Sequence, residues 1–204
     1  MLQTFDLREK PSVGFVNGGN GGMNYHKCGY SDFACSTLTY AGTNVFGTSP
    51  ATLKLVDGSF FIDEMILNTQ QMNIGGDIEK AKIGIVEGGE NEFLIKSEQI
   101  ISFSSLALSI STFAESRKEY VFLCGASTLK FEECSFGAKS QEIGVGLICG
   151  KGGKVELANC EFGDFAITKS VIVTFDGAGV GGLIDEVIVK NVTRENEGRS
   201  LFFS

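Results

Sequence analysis

One histidine, four arginines and no tryptophan occur among the 204 residues of this chain, and each scarcity removes a class of chemistry. A lone imidazole, His26, gives catalytic triads and multi-histidine metal sites a single ring to draw on. Its place in a glycine-rich loop reads as a surface or turn histidine. Arg8, Arg117, Arg194 and Arg199 each fall in a segment that reads as a loop or terminus, and no basic run is present. With 25 acidic against 17 basic residues the formal charge is −8, which argues against nucleic acid as a partner, because that binding rests on Lys and Arg meeting phosphates. No apolar run approaches the roughly 20 residues that span a bilayer. The start MLQTFDLREKPSV lacks the apolar core of a signal peptide, so either the protein is cytosolic or a secretion signal lies outside these residues. GGNGG at 18–22 lacks the Lys and Ser/Thr of a phosphate loop, and DGAGVGG at 176–182 follows no βαβ pattern. With no CxxC pair, a structural zinc site is not expected either, and the sequence calls for no cofactor.

What the chain does contain is a repeat. Leu129 to Gly137 reads LKFEECSFG and Val155 to Gly163 reads VELANCEFG. A shift of 26 brings Phe131 onto Leu157, Cys134 onto Cys160, Phe136 onto Phe162 and Gly137 onto Gly163. Upstream, YVFLCGAS at 120–127 answers VGLICGKG at 145–152 with a shift of 25, which stacks Cys124 on Cys149. Weaker copies appear at 44–61, 84–103 and 173–192. Taking Leu55, Ile95, Phe131, Leu157 and Val189 as equivalent gives steps of 40, 36, 26 and 32 residues. Coils of constant core with loops of varying length produce such scatter.

The alternation inside these phrases has period two, as a half-buried strand requires, and no helical spacing of three and four. Leucine-rich and helical repeats need a helix or leucine ladder per unit, and propeller blades need about 40 to 45 residues. A parallel β-helix fits best: an all-β, right-handed, single-stranded solenoid in which equivalent residues stack at about 4.8 Å. Residues 1–41 then form an N-terminal segment with a short cap helix, and residues 42–204 form the coils. Phe131 over Leu157 and Phe136 over Phe162 become interior ladders. Lys130 faces Glu156 outside, and Gly137 and Gly163 are expected to close a turn that needs positive φ or leaves no room for a side chain.

In the N-terminal segment, Ser36-Thr37 before LTYA reads as a helix entry, a hydroxyl there capping free backbone amides. The string CGYSDFACSTLTYA, with Cys28-Gly29, Cys35, Thr37-Leu38 and Ala41, resembles the opening of pectin-lyase-like right-handed β-helix proteins, including large surface proteins of unicellular eukaryotes. Ala34 stands where proline is usual. Together with the coils the resemblance covers about residues 28 to 192. It implies a fold more firmly than an activity, since the superfamily holds lyases, hydrolases, esterases, adhesins and non-catalytic members, and fold does not fix function. The NTD, DD, GHG and RIK strings of its polygalacturonases do not occur here.

The remaining candidates concern place and partners. Cys28 and Cys35 are close enough for a local disulfide around a turn. The stacked cysteines Cys124 with Cys149 and Cys134 with Cys160 read either as disulfides, which parallel Cβ vectors suit poorly, or as buried free thiols. Glu132, Glu133, Glu156 and Glu161 make an acidic strip, read as a solvated β-face or a cation site. Asn191-Val192-Thr193 is a glycosylation sequon. The final GRSLFFS looks like the start of another buried strand, so the C-terminal coil is expected to continue in a longer β-helix, self-associate or dock on a partner. The leading functional expectation is a non-catalytic structural or adhesive β-helix of a surface or secreted assembly, extracellular, presenting a face to a glycan or protein. The alternatives are a carbohydrate-active enzyme, with acidic residues of the 62–92 region in a groove, and an intracellular scaffold.

Overall fold

A computed structural model of the chain describes residues 12–19, 21–45, 50–57, 59–61, 70–76, 81–85, 93–95, 99–110, 120–138, 142–143, 146–167, 173–176 and 181–194. Strands dominate these residues and fall into three sheets, with every pairing between named strands parallel. The first sheet runs in the order β1 (Val13–Asn17), β2 (Ala51–Asp57), β4 (Gln71–Gly76), β7 (Ile100–Ser104), β10 (Thr128–Glu132), β14 (Lys154–Ala158) and β17 (Gly181–Asp185). The second runs β3 (Ser59–Phe61), β5 (Ala81–Ile85), β8 (Leu106–Ile110), β11 (Ser135–Ala138), β15 (Glu161–Ile167) and β12 (Glu142–Ile143), with β18 (Ile188–Arg194) also on β15. The third holds β6 (Phe93–Ile95), β9 (Tyr120–Cys124), β13 (Gly146–Lys151) and β16 (Val173–Asp176). From β6 onward, β12 aside, successive strands visit the third, first and second sheets in turn, and from β9 each pairs with its counterpart from the previous round.

The alternation of β10 explains its placement. Leu129 and Phe131 are buried while Lys130 is only partly covered, because successive side chains of a strand point to opposite faces. Register then stacks like on like: Leu53, Ile74, Phe103, Phe131 and Leu157 form one column of the first sheet, all but fully buried. Phe103 and Phe131 lie face to face, 5.1 Å between centroids, and Phe136 and Phe162 in the second sheet at 4.4 Å. Phe122 of the third sheet meets both Phe103 and Phe131 edge-on, and Phe136 meets Phe131 the same way. One aromatic core therefore joins all three sheets, with edge and stacked pairs adding to what burial alone supplies.

This register corrects the equivalences drawn from the weaker copies. Leu53, not Leu55, occupies the Phe131 column. Ile95 belongs to the third sheet, opposite Cys124, and Val189 to the second, opposite Phe162. Period-two matching finds the right face but not the right sheet when loops vary.

The corners between the first and second sheets are equally regular. Ser105, Glu133, Asn159 and Glu186 all adopt φ between 48° and 54°. The amides of Ser105, Glu133 and Asn159 each donate to the carbonyl of Glu132, Ala158 and Asp185 on the next strand, at 3.0 Å. Gly137 and Gly163 do not play this part: they lie within β11 and β15 and are not among the positive-φ residues. Residues four positions earlier, Glu133 and Asn159, carry the left-handed corner instead, an arrangement Asn tolerates and Glu adopts under constraint. A true glycine requirement sits at Gly153, where a Cβ would overlap the Gly125 carbonyl oxygen and approach Cys124 Sγ at 2.7 Å.

At the N-terminal end, β1 is the edge strand of the first sheet. Beside it lies a short helix α1 (Leu38–Tyr40) that continues as one π-helical turn over Ala41–Val45. Thr37 Oγ1 accepts from the Tyr40 amide at 3.2 Å, the cap its hydroxyl was expected to provide. Asn24 ties the loop to this cap, its Oδ1 accepting from the amides of Ser36 and Thr37 and its Nδ2 donating to Thr37 Oγ1. No described helix is long and apolar enough to cross a membrane. The terminal GRSLFFS and most of the 62–92 region lie outside the described residues.

Candidate functional site

Along β8, β11 and β15 the inward residues Leu108, Phe136 and Phe162 are buried, so the alternate residues face outward. Apart from Glu161 these are small: Ala107 and Ser109, Ser135 and Gly137, then Gly163. Short side chains over three neighbouring strands leave a shallow groove of about 320 Å³, open to solvent, with Asp164 also on its wall. Asp164 adopts φ 62° and sits where the pairing of β15 with β18 skips a residue between Gly163↔Lys190 and Phe165↔Val192. Asn191 makes the matching left-handed step on β18, at φ 52°, and its Nδ2 donates to Asp164 Oδ1 at 3.0 Å. Lys190 Nζ donates to Glu161 Oε1, also at 3.0 Å. The groove thus offers hydroxyls, exposed backbone and two carboxylates, a surface suited to hydrogen bonding with a polar ligand that lies flat.

Of the four acids in the strip, Glu156 and Glu161 are ion-paired. Glu156 Oε2 meets Lys130 Nζ at 2.7 Å, and Oε1 meets Lys154 Nζ. The Lys130 contact first, then Lys154, holds the Glu156 carboxyl below its ordinary value of 4.5. Glu133 accepts from Ser105 Oγ at 2.9 Å, Glu161 is paired with Lys190, and Glu132 is exposed. Among the described residues no three His, Cys, Asp or Glu gather as a metal site. His26 is exposed in a turn, edge-on to Tyr25.

Cys28 and Cys35 are joined by a disulfide, both sulfurs buried beneath the N-terminal loop. The other four cysteines are buried free thiols. Cys134 and Cys160 occupy equivalent corners and do the same work: Cys134 Sγ donates to the carbonyls of Phe103 and Glu132, Cys160 Sγ to those of Phe131 and Ala158. Burial pushes the Cys134 thiol up to about 12 and raises Cys160 as well, so both remain neutral donors and poor nucleophiles near neutral pH. The Cys124 over Cys149 stack does not form. Register pairs Cys124 with Gly150 and Cys149 with Leu123, because the 26-residue shift holds here too and matching the two CG dipeptides misplaces it by one. Cys124 Sγ instead contacts Ser127 and the carbonyl of Lys154.

Sequence reasoning missed the groove. Its signal was the run of small outward residues Ala107, Ser109, Ser135, Gly137 and Gly163, which only register brings side by side. No family model matches the chain, and neither do curated proteins or solved structures.

Proposed function

We propose that the chain is a run of right-handed β-helix coils of the pectin-lyase-like kind, serving a non-catalytic adhesive role in a secreted or surface assembly and presenting the outer face of the second sheet to an extended glycan. Cyclic visiting of three parallel sheets and the stacked side-chain columns support the coil reading. The observation that carries the adhesive role is the groove over β8, β11 and β15, floored by small residues and rimmed by Glu161 and Asp164. A sugar chain laid there reaches backbone, hydroxyls and carboxylates at once. The Cys28–Cys35 disulfide suits an oxidising compartment and opposes the intracellular scaffold.

Calorimetry against a polysaccharide panel tests this, with Gly137→Phe as control. A Cβ at Gly137 has no neighbour nearer than the Gly163 carbonyl at 3.9 Å, so the variant should fold while filling the groove. Binding by the native chain, weakened at least about tenfold in the variant, supports the reading; binding unchanged by the substitution sinks it. The enzymatic alternative draws on two carboxylates at one groove, since glycoside hydrolysis uses such a pair. Sugar products released from the same panel would favour it.

A further inference from the structure

In the last described round the pattern of burial breaks. Ile184 and Val189 stack on Leu157 and Phe162, which are fully buried, yet are themselves 38% and 37% exposed. The outward positions change as well. Glu156 and Glu161 of the preceding round give way to Leu183 and Ile188, 53% and 51% exposed. Among the described residues β17 pairs only with β14 and β18 only with β15. Four large apolar side chains beside two strand edges make a template for unwanted association, which proteins blunt with charge, proline, bulges or cover.

We propose that Asn191 is a site of N-linked glycosylation whose glycan shields this edge; the inference rests on the secreted reading above. Asn191 opens the sequence Asn191-Val192-Thr193, in which the middle residue is not proline. It is exposed, and at φ 52° it makes the left-handed step of β18 opposite Asp164, where the ladder pairing is interrupted. It lies three residues from Ile188, about 10 Å along the strand. The disulfide belongs to the kind of compartment in which such modification occurs. In the transfer, Nδ2 bonds to the anomeric carbon of a lipid-pyrophosphate-linked oligosaccharide. The carbon–oxygen bond to pyrophosphate breaks, the leaving pyrophosphate takes the electron pair, and one amide proton is lost to a base. Nδ2 keeps its second proton, which is all that the hydrogen bond to Asp164 Oδ1 uses. The glycan and the folded contact are therefore compatible.

The test is secretion of the full chain from eukaryotic cells behind a heterologous leader, followed by peptide-N-glycosidase release in heavy-oxygen water, mass spectrometry and sedimentation. The expected result is a glycan on Asn191, lost in both Asn191→Gln and Thr193→Ala, with both variants shifting from monomer to larger species. Thr193→Ala retains Asn191 and so separates loss of the glycan from loss of the Asp164 contact. Adding Leu183→Lys and Ile188→Lys to either variant should restore the monomer. A secreted, disulfide-bonded chain with unmodified Asn191 overturns the proposal and leaves the adhesive reading standing. A glycan whose removal leaves association unchanged overturns the shielding role. A secreted chain with Cys28 and Cys35 both reduced overturns the shared premise.

Discussion

The rounds around Phe131 and the last described round, β17 with β18, use the same backbone plan and reach opposite outcomes. Each turns its corner through a left-handed residue, Glu133 or Asn159 in one, Glu186 in the other. In the middle rounds the inward side chains are covered above and below, and Lys130 and Glu156 are ion-paired outside. In the last, the inward Ile184 and Val189 are partly exposed and the outward Leu183 and Ile188 have no charge. Local backbone preference is thus shared, whereas burial depends on a neighbouring round. The ladder residue does not stabilise through its own pattern; it stabilises through what stacks on it.

The largest contrast should come from truncating a ladder residue in each region. Phe131→Ala removes stacked and edge contacts with Phe103, Phe122 and Phe136 and should cost about 3–5 kcal/mol. Val189→Ala, already part exposed, should cost about 1 kcal/mol or less. Urea unfolding of both variants measures the gap, and equal losses would break the comparison. Corner substitutions should behave alike in both regions, since the strain is local. Asn159→Ala should cost about 1 kcal/mol, and Glu186→Gly should stabilise by up to about 1 kcal/mol. A Glu186→Gly variant that unfolds at lower urea than the parent would contradict this.

The smallest effect is electrostatic and confined to the middle rounds. Glu156 has its folded carboxyl held below 4.5, so its stabilisation is complete above that value and disappears as pH falls through the folded one. Glu156→Gln should lower stability by less than about 1 kcal/mol at neutral pH and flatten the acid limb of a stability profile taken from pH 7 downward. An acid limb identical to the parent's would remove the Lys130 and Lys154 contacts from the account.

Where residue types repeat, the sequence was enough. The 26-residue match of Phe131 with Leu157, Phe136 with Phe162 and Lys130 with Glu156 appears unchanged in the register. The Thr37 cap followed from a hydroxyl before an apolar turn, and the Cys28–Cys35 bridge from spacing. Legibility failed where the determinant is register and not residue type. The left-handed corners carry Ser, Glu, Asn and Glu, so no glycine marked them, and the glycines at 137 and 163 drew attention to the wrong positions. Cys149 was placed one residue off because a shared dipeptide outweighed the uniform shift. The groove escaped for the same reason: Ala107, Ser109, Ser135 and Gly163 mean little apart and acquire a shape only when three strands align.

The central claim is that successive rounds advance by one strand spacing along a common column. Lys54, Gly75, Ser104, Glu132, Ala158 and Asp185 form such a column on the first sheet. Spin labels at Lys54 and Ala158 should lie four spacings apart, about 19 Å, and at Lys54 and Asp185 five, about 24 Å. Electron–electron resonance on the two labelled pairs reads these distances directly. An increase of about one strand spacing, roughly 5 Å, between the pairs is what stacked rounds require, and equal or shorter separation for Lys54 and Asp185 would contradict the account.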